Sequence, residues 1–180
     1  MLTITVAGKE LWDEKTESFI TTNEQTLVME HSLVSLSKWE SKYKKPFLTK
    51  DAKTDEEMID YFRFMTITNN VDPNVYYNLT NFQKQQIADY IGDKQTATTI
   101  NQKNNHASSR EIITSELIYY WMVSLQIPFE CQKWHLSRLL TLVNVCNIKN
   151  QPPKKRSAKD QLASNYRLNA ARRAASGSRG

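Results

Sequence analysis

The chain has 180 residues, a length that fits one compact domain, or one domain with an appendage, and disfavours a multidomain protein. Hydrophobic residues make up 39% of it and aromatic residues 10%, which is enough for a substantial core, while two cysteines are too few for a disulfide scaffold. The net charge of +5 is unevenly divided, because residues 154–180 carry +7 and residues 1–153 carry −2. The basic character therefore belongs to the C-terminal segment.

Several classes of protein are disfavoured by the same sequence. The first ten residues alternate apolar and polar side chains and lack the uninterrupted apolar run of a secretory signal. The apolar patches at residues 118–125 and 139–145 are broken by polar residues and are too short to span a membrane. Only four glycines occur, none in a phosphate-binding loop. We expect a soluble protein in a reducing, intracellular setting, with no membrane partner.

The N-terminal segment has the pattern of β-strands. Residues 2–6 alternate apolar and polar side chains, and residues 10–12 can pair with residues 18–21 across a short turn. The pattern predicts a small β-hairpin over residues 1–22.

After Asn23 the apolar residues recur at intervals of three and four, which is the spacing of one helical face. This change of period predicts a first helix that ends near Tyr43, before Pro46. Its apolar face would hold Met29, Leu33, Leu36, Trp39 and Tyr43.

The next two helices have clear start signals. Thr54 and Glu57 have the spacing of a capping box, in which each residue satisfies a backbone N–H of the other. Thr80 and Gln83 repeat that spacing, and Gly92 is the expected stop of the helix that they begin.

The second half of the body is predicted to be a pair of long helices. Residues 93–109 are polar and aperiodic, which predicts a mobile surface loop. Ser108 and Glu111 have capping spacing and predict a largely buried helix that continues to Leu125. Another long helix is predicted over residues 129–147, so that the two form a helical hairpin at the heart of the fold.

The predicted fold class is therefore mainly α. A helical body over residues 23–150 is built around the long helical hairpin, with the β-hairpin of residues 1–22 before it. A basic helical arm over residues 151–180 follows a Pro-Pro pair and completes the chain.

One pair of residues could carry chemistry. Cys131 and His135 are four apart on a predicted helix, so they could supply two zinc ligands or a thiol nucleophile with its base. A zinc site needs further ligands, and a nucleophile needs an orienting group and an oxyanion donor, which the sequence does not identify. A buried thiol beside an amphipathic histidine is the favoured interpretation. We expect no catalytic, cofactor or metal site, and not an enzyme.

Aromatic residues interleave with lysines along the first two predicted helices. The aromatic series comprises Trp39, Tyr43, Phe47, Tyr61, Phe62 and Phe64. Such interleaving can bind single-stranded nucleic acid, but the helical spacing favours a core stripe beside a solvated lysine face. We expect the partner-binding surface of the body to be a helical groove near Trp39 and Tyr43.

The C-terminal arm is the strongest indication of a partner. Leu162, Tyr166 and Leu168 are too few large apolar residues to form a core, so the arm needs a partner or stays mobile. An acidic protein surface and a nucleic-acid backbone both suit its charge, while a solubilising tail is the simpler alternative. An anionic membrane is disfavoured because the apolar face is thin. The predicted partner-binding residues of the arm are Lys154, Lys155, Arg156, Arg167, Arg172 and Arg173.

Several blocks of the sequence resemble a family of small proteins encoded among the tail genes of tailed bacteriophages and prophages. The longest are EHSLVSLSKWESK at residues 30–42 and REIITSELIYYWM at residues 110–122. Shorter blocks are KPFL, KTDEE, IPFE, KWHL and NQPPKK, at residues 45–48, 53–57, 127–130, 133–136 and 150–155. The resemblance covers almost the whole chain.

The resemblance implies a tail assembly chaperone or a minor virion protein, without a catalytic motif. Such a chaperone would bind the tape-measure or tail-tube protein in the host cytoplasm, and self-association into a homo-oligomer is compatible with that role. The alternatives are a structural protein of the tail or neck, retained in the virion, whose arm contacts a neighbouring subunit or DNA, and a nucleic-acid-binding regulator.

Overall fold

The computed structural model describes residues 1–14, 17–99, 112–151 and 158–177. The chain divides into two compact units, residues 1–148 and residues 149–180. Its strands are β1 (Leu2–Val6), β2 (Glu10–Asp13), β3 (Ser18–Thr21) and β4 (Gln25–Met29). Its α-helices are α1 (Leu33–Tyr43), α2 (Asp55–Met65), α3 (Asn81–Gly92), α4 (Ser115–Ser124), α5 (Leu136–Asn150) and α6 (Ala158–Ser176). The predicted mainly α fold with an N-terminal β-hairpin and a helical arm is confirmed.

The four strands form two antiparallel sheets of two strands each. β2 pairs with β3, as predicted, and β1 pairs with β4, so the hairpin is inserted in the sequence between two strands that pair with each other. The two ladders are joined by the Thr22 N–H, which donates to the Lys9 carbonyl oxygen at 2.9 Å. Gly8 is required nearby, since a Cβ there would lie 2.4 Å from the Thr22 carbonyl oxygen.

The helix predicted from Asn23 is wrong over its first part, because residues 25–29 form β4. Leu27 and Met29 are both buried, and alternate residues of a strand share a face. Helix α1 begins only after Ser32, which forms a capping box with Ser35. It ends at Tyr43, as the sequence predicts.

The capping boxes of α2 and α3 are confirmed. The Thr54 hydroxyl accepts from the Glu57 N–H, and the Glu57 carboxylate accepts from the Thr54 N–H at 3.0 Å. Thr80 and Gln83 make the reciprocal pair at the start of α3. Each box satisfies backbone N–H groups that have no partner within the helix.

Helix α4 is shorter than predicted at its start. Its N-cap is Thr114, whose hydroxyl accepts from a backbone N–H in the first turn. The predicted start signal at residues 108–111 and the loop at residues 100–109 lie outside the described residues. Ile112 and Ile113 precede α4 and are 58% and 39% exposed, so they are not part of a buried helical face.

The long helix predicted from residue 129 is interrupted. A 3-10 helix, Phe129–Lys133, comes first, and α5 begins at Leu136. Between them His135 forms an isolated antiparallel β-bridge with Ser32, and the Leu136 N–H donates to the His31 carbonyl oxygen at 2.7 Å. This pairing with a distant segment holds the backbone in a non-helical conformation.

Helix α1 is the central element of the body. It contacts α2, α4 and the 3-10 helix of residues 129–133, whereas the sequence placed a hairpin of the last two long helices at the centre. Leu33, Leu36 and Trp39 are fully buried on its inner face. Phe47, just after α1, stacks on Tyr61 of α2 with ring centroids 4.0 Å apart. Within the described residues, no helix has both the length and the apolar character to cross a membrane.

The buried carboxylate of Glu40 joins three segments of the chain. Its two oxygens accept the Phe47 N–H at 2.9 Å and the Ser115 N–H at 2.7 Å. Ser115 is the first residue of α4, where backbone N–H groups lack partners within the helix and a negative charge is favourable. One side chain therefore fixes the turn after α1 and the start of α4.

We expect replacement of Glu40 to lower the free energy of unfolding strongly. Glu40→Ala leaves two N–H groups without their acceptor, at a cost of about 3 kcal/mol. Glu40→Gln keeps one acceptor oxygen, so its loss is smaller. Urea unfolding measures both values, with Glu24→Gln at an exposed position as the matched control. Equal stability of Glu40→Ala and the control would contradict this role.

Candidate functional site

Trp39 and Tyr43 occupy different environments. The Trp39 ring is fully buried, and its indole N–H donates to the Glu57 carbonyl oxygen at 2.8 Å. This burial contradicts the prediction that Trp39 contacts a partner directly. Tyr43 is half-buried beside it, with ring centroids 4.9 Å apart. The aromatic stripe is part of the core, which agrees with the interpretation that its spacing favours.

A surface cleft of about 350 Å³ lies near the end of α1, close to the predicted groove. Its lining residues are Glu40, Ser41, Lys44, Lys45, Pro46, Thr114 and Glu116. Trp39 and Tyr43 do not line it. The two lysines are offset by two glutamates, so the cleft has no excess of either charge.

Asp60 organises the polar rim between α1 and α2. Its carboxylate accepts hydrogen bonds from Lys42, from the Tyr43 hydroxyl at 2.6 Å and from Arg63 at 2.9 Å. Burial alone would raise the pKa of Asp60, but these donors lower it overall. Burial and the bond to Asp60 raise the pKa of Tyr43 to about 12, so its hydroxyl stays protonated. The Tyr43 hydroxyl is committed to an internal contact.

Two histidines meet inside the body. The rings of His31 and His135 have centroids 5.1 Å apart, and His31 Nδ1 is hydrogen-bonded to the Tyr61 hydroxyl. Burial, and then the nearby His135, lower the pKa of His31 to about 3. His31 is therefore neutral at physiological pH and acts as a hydrogen-bonding core residue.

Cys131 and His135 do not form a pair on one helix. Cys131 is buried on the 3-10 helix, and burial followed by the charge of Glu130 raises the pKa of its thiol. His135 Nε2 donates to the Tyr90 carbonyl oxygen at 3.0 Å, and Nδ1 lies 2.8 Å from the Ser137 hydroxyl. Both ring nitrogens are engaged. Among the described residues, no group of three or more His, Cys, Asp or Glu side chains could hold a metal ion.

Helix α6 carries three of the predicted partner-binding arginines. Arg167, Arg172 and Arg173 are all exposed, and the helix carries a net charge of +3. Leu162 and Tyr166, four residues apart on one side, are 74% and 78% exposed. The other predicted arm residues, Lys154, Lys155 and Arg156, lie outside the described residues.

The β2–β3 hairpin carries an aromatic pair that the sequence interpretation missed. Trp12 and Phe19 are register partners on opposite strands, and their rings meet edge to face with centroids 5.0 Å apart. They are 54% and 68% exposed. The predicted pairing of residues 10–12 with residues 18–21 contained the signal, because it places Trp12 opposite Phe19.

Comparison with known proteins gives no relative from which a role could be transferred. No protein-family model, no curated protein sequence and no solved structure matches the chain.

His31 should make the free energy of unfolding depend on pH. Its pKa is about 3 in the folded protein and has its ordinary value of 6.5 in the unfolded chain. Between these values the unfolded chain binds a proton that the folded protein does not, so stability falls as the pH falls. We expect this contribution to reach at most about 5 kcal/mol and to be absent from His31→Asn, whose amide can still bond the Tyr61 hydroxyl.

Urea unfolding of both proteins between about pH 7 and about pH 4 measures this contribution. The carboxyl groups of Glu57 and Asp60 have lowered pKa values and lose their stabilising contribution as they are protonated in acid. That loss is common to both proteins and cancels in their difference. A difference between the two proteins that is independent of pH would rule out the expected role of His31.

Proposed function

We propose that the chain is a non-enzymatic phage tail assembly factor, a chaperone that binds the tape-measure or tail-tube protein through α6. The observation that carries the proposal is a 19-residue helix whose arginines and large apolar side chains are exposed. The resemblance of the sequence to phage tail-gene products supports the choice of partner.

The chemistry of α6 fits the binding of another protein. Leu162 and Tyr166 provide an apolar strip on one side, and the arginines provide charge-assisted hydrogen bonds to carboxylates. An isolated helix gains little from propensity alone and is stabilised mainly by packing of a face. A partner that covers Leu162 and Tyr166 would supply that packing.

The body fits the role of a scaffold. Several side chains with reactive chemistry in the described part of the body are used internally: His31 bonds Tyr61, both His135 nitrogens are engaged, and Asp60 is satisfied by three donors. Burial raises the pKa of Cys131, so its thiol is a weak nucleophile at neutral pH. These contacts favour a structural use of groups that an enzyme would leave accessible.

We expect neutralisation of the α6 arginines to abolish capture of the tail protein. The triple variant Arg167→Gln, Arg172→Gln and Arg173→Gln, hereafter the arm variant, removes charge and keeps a helix-compatible side chain. Tagged protein co-expressed with the phage tail proteins should capture tape-measure or tail-tube protein at least about tenfold less when it is the arm variant. Lys50→Gln, at an exposed position of the body, is the matched control and should capture normally.

Two outcomes would overturn the chaperone proposal. One is capture of the tail protein by the arm variant at the level of the control. The other is recovery of this chain from purified virions in stoichiometric amount, with no tape-measure or tail-tube protein captured from infected cells. The latter result would favour a structural protein of the tail or neck.

Nucleic-acid binding is a second candidate, favoured by the net charge of +3 and the exposed arginines of α6. At about 100° per residue, Arg167, Arg172 and Arg173 lie on different sides of the helix and do not form one stripe. If they contact duplex phosphates, the logarithm of affinity falls with the logarithm of salt concentration with a slope of about −0.9 per contact. We expect the arm variant to reduce that slope. Equal DNA binding by wild type and arm variant would exclude this candidate.

A further inference from the structure

The β2–β3 hairpin combines exposed aromatic rings with carboxylates along β2 and at its turn. Trp12 and Phe19 form the edge-to-face pair, and Glu10, Glu14 and Glu17 around them are exposed. Glu10 lies two residues before Trp12 on β2, so the two side chains share a face of the ribbon. We name this set of five residues the acidic tip.

The acidic tip lacks a covering element among the described residues of the body, 1–148. Strands β2 and β3 have their main contacts with each other, and both aromatic rings are more than half exposed. A two-stranded hairpin is only marginally stable in water by itself, and a covering partner would stabilise it. The exposed Trp12–Phe19 pair can therefore serve as an interaction surface as well as a cross-strand contact.

The chemistry of the acidic tip selects a basic, partly apolar helix. An indole ring attracts a guanidinium group over its face, and neighbouring carboxylates add charge-assisted hydrogen bonds. The same chain contains a helix with these properties: α6 exposes Arg167, Arg172 and Arg173 together with Leu162 and Tyr166. Charge and apolar character are thus complementary between the two surfaces.

We propose that the acidic tip of one copy of this chain binds α6 of a second copy. Arg173, which lies on the same side of α6 as Leu162 and Tyr166, pairs with the carboxylates of the tip, and these two apolar side chains cover Trp12 and Phe19. The contact is heterologous, because it joins two different surfaces. Each contact leaves one tip and one α6 unoccupied, so further copies can be added in a ring or an open chain.

The inference uses the α6 surface of the proposed function but is independent of which tail protein binds there. A tip variant, Glu10→Gln, Glu14→Gln and Glu17→Gln, removes the carboxylates, retains both aromatic rings and leaves α6 unchanged. We expect it to lose self-association while it still captures the tail protein. If wild type self-associates but captures no tail protein, the proposed function fails and this inference stands.

Sedimentation velocity of the full-length protein tests the contact. Wild type is expected to associate with increasing concentration up to about 0.1 mM, and less so when salt is raised from about 0.05 M to about 0.3 M. The tip variant and the arm variant should each associate at least about tenfold more weakly. Glu24→Gln, an exposed glutamate outside the hairpin, is the matched control and should associate as wild type does.

Mixing the two variants provides the sharper measurement. The arm variant retains the tip and the tip variant retains α6, so one contact can form in the mixture and a 1:1 complex is expected, without larger species. A wild type that is monomeric throughout, unchanged association of the tip variant, or a mixture that forms no complex would each overturn the proposal. Circular dichroism of each variant checks that the fold is retained.

Discussion

The body depends on one buried carboxylate that joins the turn after α1 to the start of α4. Glu40 extends from the central helix α1 and accepts N–H groups from the turn that follows α1 and from the first residue of α4. A buried carboxylate is costly unless its oxygens are satisfied, and a buried N–H group without an acceptor also costs stability. Contact among the three segments is therefore favourable, and their separation would leave these polar groups without partners. Trp39, one position earlier, packs in the core that this contact closes.

The elements that local rules determine could be predicted from the sequence. Thr54 with Glu57, and Thr80 with Gln83, start helices because the capping interaction lies within four consecutive residues. The wrong helix predictions concern segments whose conformation depends on pairing with a distant part of the chain. Residues 25–29 are a strand because β1 pairs with them, and the predicted long helix from residue 129 is broken because His135 pairs with Ser32. Helical spacing alone does not reveal either partner.

The candidate binding surfaces also differ in whether local sequence or three-dimensional packing reveals them. The basic, sparsely apolar composition of the arm indicates a helix that needs a partner, and the described part of α6 has exposed arginines. Trp12 and Phe19 form a candidate surface because strand register pairs them and no described element of the body covers them. Amino-acid composition gives information on neither point. Conversely, Trp39 belongs to an aromatic series that shows helical spacing, but only three-dimensional packing shows that its indole N–H is bonded internally.

The distance in sequence between Glu40 and Ser115 also affects how the protein folds during its synthesis. Ser115 follows Glu40 by 75 residues, which a ribosome adds in about 4 to 15 s. During that interval α1 lacks the α4 segment that it contacts in the folded body. The surface of α1 that α4 covers therefore stays uncovered for seconds, and the completed body forms only late in translation.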